Sequence, residues 1–155
     1  MTSYKHTQIG YLMIIVTLVV LVLFAWAQYT VRSEPPSIDS GANFLVTAIM
    51  VLILFTLSSV TTLTVFIDEK YIGIKFGYGL FRKKFLLSEI ASVKQVKNHW
   101  YYGWGLRVWF WPRMCIYNVS GFDAVEIIMR NGKIYHIGTD VPSELESAIK
   151  QAIHI

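Results

Sequence analysis

The segment from Ile9 to Ala27, IGYLMIIVTLVVLVLFAWA, runs 19 residues without a charge. As a helix it reaches about 28 Å, close to the hydrocarbon thickness of a bilayer. Tyr11 and Trp26 stand near its two ends, where amphipathic rings favour the membrane–water boundary. A second uncharged stretch runs from Ala42 to Ile67. Its first part, Phe44 to Leu57, is membrane-like, whereas Ser58 to Ile67 is rich in Thr and Val, which favour strands. These patterns predict helices over about 9–28 and 43–60. A chain of 155 residues cannot bury two helices that are apolar all round. Composition agrees: 54% of residues are hydrophobic and 15% charged, against about 25% charged in a soluble domain. The alternative for the first segment is a cleaved signal peptide, since Ala25-Trp26-Ala27 resembles a small-x-small cleavage site. Against it, Lys5 is the only charge before the run, and the run exceeds the usual ~7–15 apolar residues of a signal.

Between the two segments lies YTVRSEPPSIDSG, whose Pro35-Pro36 pair breaks a helix and turns the chain back. Residues 1–60 therefore read as a transmembrane helical hairpin, and 61–155 as one further domain. Twelve of the 14 Lys and Arg follow residue 67, with eight of the ten acids. Lys70, Lys75, Arg82, Lys83 and Lys84 crowd the segment after the second helix, while the loop offers only Arg32 against Glu34 and Asp39. The positive-inside bias puts the domain and both termini in the cytoplasm and the Pro-Pro loop outside.

The second half is patterned for strands. YIGIKF alternates Ile72, Ile74 and Phe76; a glycine-containing turn leads to FRKKFLL; SEIASVKQVK continues extended. Two apolar runs flank Asn131-Gly132, a pair favoured in two-residue type I′ hairpins. Leu145, Ala148, Ile149, Ala152 and Ile153 recur on one helical face, with Asp140 as a candidate N-cap and Pro142 in the first turn. Strands followed by one amphipathic helix outline an antiparallel sheet or open barrel closed by a C-terminal helix. In that setting LTVFIDEKYIGIKFGYGLFRKKF, WYYGWGLR, YNVSGFDAVEI and IGTDVPSEL, over most of residues 60–150, resemble the small bacterial membrane proteins with two transmembrane helices and a pleckstrin-homology-like (PH-like) domain. The resemblance implies a membrane α+β protein with a PH-like fold, located in the bacterial inner membrane. It implies no activity.

No catalytic constellation emerges. His6, His99, His136 and His154 lack metal-ligand spacing, and neither Gly77-Tyr-Gly79 nor Gly103-Trp-Gly105 is followed by the Gly-Lys-Ser/Thr of a phosphate loop. Cys115 has no partner and reads as a structural thiol. The sequon Asn118-Val-Ser120 falls on the expected cytoplasmic side. No enzyme, metal or cofactor is expected. The basic triplet Arg82-Lys83-Lys84 is either a solvated edge strand or a contact for anionic lipid headgroups. Nucleic acid is not expected for a tethered domain of net charge +4.

One run is unusual. Residues 99–121 hold four of the five tryptophans. If Leu106–Trp111 is a strand, Arg107, Trp109 and Trp111 face one way, with Arg113 beyond, while Leu106, Val108 and Phe110 face the core. The Arg/Trp stripe suits the headgroup zone, a protein partner or a second copy of the chain, or internal stacking. Trp100, Tyr101, Tyr102 and Trp104 precede it in a glycine-bounded loop and join the candidate interaction surface. The expected role is binding or scaffolding at the membrane surface; the alternative is a subunit or regulator of a larger membrane complex.

Overall fold

The computed structural model describes residues 4–33, 40–109 and 113–153. It begins with a strand absent from the sequence expectation. β1 (Tyr4–Ile9) leads directly into helix α1 (Tyr11–Ser33), which returns through α2 (Ser40–Ser59) into β2 (Thr62–Ile67). β1 and β2 pair antiparallel in full register, from Tyr4 opposite Ile67 to Ile9 opposite Thr62. Residues 4–9 thus belong to the sheet that follows the hairpin. Their inward-facing residues are Tyr4, His6 and Gln8, so no apolar alternation announces the strand. α1 starts two residues and ends five residues later than expected, α2 starts three residues and ends one residue earlier, and the connecting loop lies outside the described residues.

α1 carries an apolar stretch, Tyr11–Val31, long enough to cross a membrane, and none of its most apolar window is buried within the protein. The apolar part of α2 is shorter, Asn43–Ser59, or about 26 Å of helix. The two helices pack together, and Gln28 Nε2 donates to Thr47 Oγ1 across them at 3.1 Å.

β2, β3 (Tyr71–Phe76) and β4 (Arg82–Leu86) complete a four-stranded antiparallel sheet in the order β1-β2-β3-β4. A single 3-10 turn, Leu87–Glu89, then passes the chain to a second sheet. This contains β5 (Ile90–Lys97), β6 (Gly105–Trp109), β7 (Met114–Asn118), β8 (Asp123–Met129) and β9 (Ile134–Gly138), ordered β5-β8-β9-β7-β6. All its pairings are antiparallel except β7 with β9. The β8–β9 hairpin has the expected Asn131-Gly132 pair but not a two-residue type I′ turn. Only Gly132 takes a positive φ, 78°, and its N–H donates to Met129 O while Met129 N–H donates to Lys133 O. This is a three-residue loop in which glycine supplies the left-handed position.

The core lies between the sheets. Leu63, Val65 and Ile67 of β2 and Ile72, Ile74 and Phe76 of β3 meet Val125, Ile127, Tyr117 and Ile137 from the second sheet. α3 (Pro142–Ile153) packs against β5, β8 and β2, with Leu145 and Ile149 fully buried. Pro142 opens the helix as expected. Asp140 instead meets His6 Nε2 at 2.5 Å, tying the start of α3 to the N-terminal strand.

Because Leu145 and Ile149 have no exposed surface, Leu145→Ala or Ile149→Ala is expected to cost about 2–5 kcal/mol in denaturant unfolding. A variant as stable as the parent would remove α3 from the core.

Candidate functional site

The polypeptide enters and leaves the helical hairpin at one point, and three loops of the β domain gather there. Gly10 N–H donates to Thr61 O at 2.7 Å. A Cβ on Gly10 would lie 2.8 Å from Val119 O and 2.9 Å from Thr61 O, so only glycine allows this approach. The buried Gln8 side chain donates to Ser120 O at 2.9 Å, bringing up the β7–β8 turn. That turn is closed by Asn118, whose Nδ2 donates to Gly121 O and whose Oδ1 accepts from Ser120 N–H. The asparagine of the sequon is thus a buried turn residue. From the other side, Gly77 N–H donates to Thr62 O, and the Tyr78 ring stacks at 6.2 Å on Phe55 of α2.

These loops carry exposed apolar rings. Tyr78 and Phe81 protrude from the β3–β4 turn beside Leu80, and Phe122 from the β7–β8 turn. Trp104 packs against Phe122 at 6.4 Å. Trp100, 76% exposed, borders a surface hollow that Phe122 also lines. Sequence reasoning found Trp100 and Trp104 but missed Tyr78, Leu80, Phe81 and Phe122. Tyr78, Leu80 and Phe81 share the β3–β4 turn and Phe122 sits alone in the β7–β8 turn, and only the topology brings the two turns together.

The aromatic stripe divides. Leu106 opposes Tyr117 and Val108 opposes Cys115, residues on the interior side of the sheet. The expected parity therefore holds for β6, with Arg107 and Trp109 on the other face. The expected burial does not: Leu106 is 44% and Val108 60% exposed. β6 is an edge strand, and the first sheet does not extend across it. Trp109 is half-buried, packed at a tilt against rings of the loop that precedes β6. Its ring centroid is 6.1 Å from Tyr101 and 5.3 Å from Tyr102, and His99 lies parallel to Tyr101 at 5.0 Å. The exposed Arg107 folds its guanidinium back over Gly103. Arg113 is exposed beyond the strand. Trp111 and Phe110 lie outside the described residues.

Beneath this loop runs a polar chain invisible in the sequence. His136, 7% exposed, places Nδ1 2.7 Å from Asn98 Oδ1 and Nε2 3.0 Å from Glu126 Oε2. The other Glu126 oxygen meets Lys94 Nζ at 3.0 Å. Asn98 N–H in turn donates to Phe122 O at 2.6 Å. The contacts fix both ends of Asn98, the residue from which the aromatic loop departs.

The basic triplet is also split by strand parity. Lys83 opposes Ile74 and faces inward, whereas Lys84 turns outward and lies 4.1 Å over the Tyr71 ring. Arg82 Nε donates to Gly79 O at 2.8 Å. Arg82 and Lys83 border a cleft of about 220 Å³ between the unpaired edges of β4 and β6, floored by Ile74, Phe76 and Tyr117. Burial pushes the Tyr117 hydroxyl up to about 12. A second cavity, about 360 Å³, lies beyond β6 between Val108, Cys115 and Tyr135, with Arg113 and Lys133 on its rim. Cys115 is half-buried there. Among the described residues no three His, Cys, Asp or Glu side chains are grouped to hold a metal.

No family model, curated protein or solved structure matches this chain.

The opposed environments of neighbours on β6 give a direct test. Trp109→Ala is expected to cost about 1–3 kcal/mol, and the exposed Val108→Ala to stay within about 0.5 kcal/mol of the parent, in denaturant unfolding of the full chain in detergent. Equal losses, or the reverse order, would contradict the packing of the loop on Trp109.

Proposed function

We propose that this chain is a membrane-anchored, non-enzymatic binding or scaffolding module. In this reading α1 and α2 both cross the inner membrane of a bacterium. A PH-like domain rests on the cytoplasmic face with both termini on that side. The observation that carries the reading is the convergence just described: two apolar helices rise from the paired ends of β1 and β2, and exposed rings from three separate loops surround that root. Rings such as Tyr78 and Trp104 are stable where an apolar body and a polar edge are both accommodated, as at the headgroup level. The short apolar stretch of α2 is compatible with a span, since local thinning of the bilayer costs only fractions of a kcal/mol per Å. The cytoplasmic assignment rests on the excess of Lys and Arg after the second helix.

A second reading, a subunit or regulator of a larger membrane complex, is favoured by one feature. The edge strand β6 exposes Leu106 and Val108 beside an unpaired backbone edge, a surface that a partner strand or a second copy of the chain could cover.

Depth labelling tests the anchored reading. In a Cys115→Ala background reconstituted into vesicles, Tyr78→Cys and Phe122→Cys carrying a polarity-sensitive fluorophore are expected to report a headgroup environment. Asn131→Cys, on the β8–β9 turn, is expected to report water. Aqueous spectra at all three positions would contradict the placement of the domain on the bilayer.

A further inference from the structure

The cleft between β4 and β6 joins three properties that seldom coincide on a soluble surface. Its floor is apolar, formed by Ile74, Phe76 and Tyr117. Its mouth is apolar as well, with Leu80, Phe81 and Leu106 all substantially exposed. Its one charged border is basic, Arg82 and Lys83, and among the described residues neither has a carboxylate partner. Lys83 is notable because strand parity turns it to the interior side of its sheet, where an aliphatic side chain would otherwise extend the core.

Position supplies the occupant. The turn that forms one wall, Gly77–Phe81, is bonded to the start of β2 and stacked on α2, so the cleft opens beside the hairpin root. We infer that it takes up part of an acyl chain of one anionic phospholipid from the adjoining bilayer, with the lipid phosphate against Arg82 and Lys83. The cleft volume, about 220 Å³, suits a chain segment and not a whole drug-sized ligand, which needs about 300 Å³ or more. Arginine and lysine at one border match a phosphate in charge and in donors. Covering Leu80, Phe81 and Leu106 with hydrocarbon removes apolar surface from water. The inference rests on the membrane-anchored reading above and adds a specific lipid seat to it.

The test uses the full chain in mixed phosphatidylcholine and phosphatidylglycerol vesicles, where one lipid or the other carries a photoreactive acyl chain. Adducts are mapped by mass spectrometry. The phosphatidylglycerol probe is expected to label Leu80, Phe81 or Leu106 well above the phosphatidylcholine probe. Arg82→Gln and Lys83→Gln are each expected to lower that labelling about five-fold, the equivalent of about 1 kcal/mol per basic residue at an anionic surface. Labelling of α1 and α2 should stay unchanged. Leu106→Glu, at a position that is already exposed, should lower cleft labelling without depending on either basic side chain. Labelled helices with an unlabelled cleft would overturn the lipid seat alone, as would cleft labelling indifferent to headgroup and to all three variants. Helices untouched by either probe would overturn the anchored reading and the seat together.

Discussion

The antiparallel pairing of β1 with β2 is the constraint from which the rest follows. Six residues before the first helix and six after the second are held in register, so the hairpin begins and ends on one sheet. The Gly10-to-Thr61 hydrogen bond carries the ladder to the point where the helices start. Without β1, the edge of β2 would present unpaired backbone groups beside an apolar helix, where such groups are costly. The same strand reaches the remaining layers: Gln8 to the β7–β8 turn, His6 to the start of α3, and Tyr4 against the core. Burial and the nearby Glu144 and Asp140 carboxylates push the Tyr4 hydroxyl above its ordinary value, as expected for a ring held between the strand and α3.

Once the root is fixed, the four sheet edges meet different fates. β5 is covered by α3, and β1 is tied to the beginning of that helix. β4 carries Arg82, Lys83 and Lys84, charges that discourage pairing with another sheet. β6 has one charged side chain, Arg107, and leaves Leu106 and Val108 exposed. It is protected on one face only, where the loop from Asn98 to Trp104 lays Tyr101 and Tyr102 on Trp109. The gap between β4 and β6 is the unclosed side of the sandwich, and the second reading of function and the inferred lipid seat both draw on it.

Much of the architecture was legible where apolar period and turn chemistry agreed. The helical patterns around residues 9–28 and 43–60, the alternation of Ile72, Ile74 and Phe76, the Asn131-Gly132 hairpin and the α3 face all correspond to elements of the structure. β1 was not legible, because its inward residues are Tyr, His and Gln, and such side chains carry no hydrophobic period. The candidate site was legible only in part. Parity gave the correct faces of β6, but burial depends on what lies opposite, and nothing in Leu106-Arg-Val-Trp109 says that the facing sheet stops short. Likewise, Arg82-Lys83-Lys84 reads as a single patch, although alternation sends Lys83 into the cleft and Lys84 onto Tyr71.

Joining the N-terminal strand to the strand after the hairpin places both on one side of whatever medium the helices occupy. Thr7 and Thr64 face each other across the pair, their hydroxyl oxygens 2.9 Å apart. In native membranes, with Cys115 replaced by alanine, the double variant Thr7→Cys, Thr64→Cys should form an intramolecular disulfide rapidly under mild oxidation. Each single variant should stay monomeric and reduced. Failure of the double variant to close, while each cysteine alone reacts freely with a thiol reagent, would show that the N-terminal segment is not bound to β2 and would remove the basis of the account.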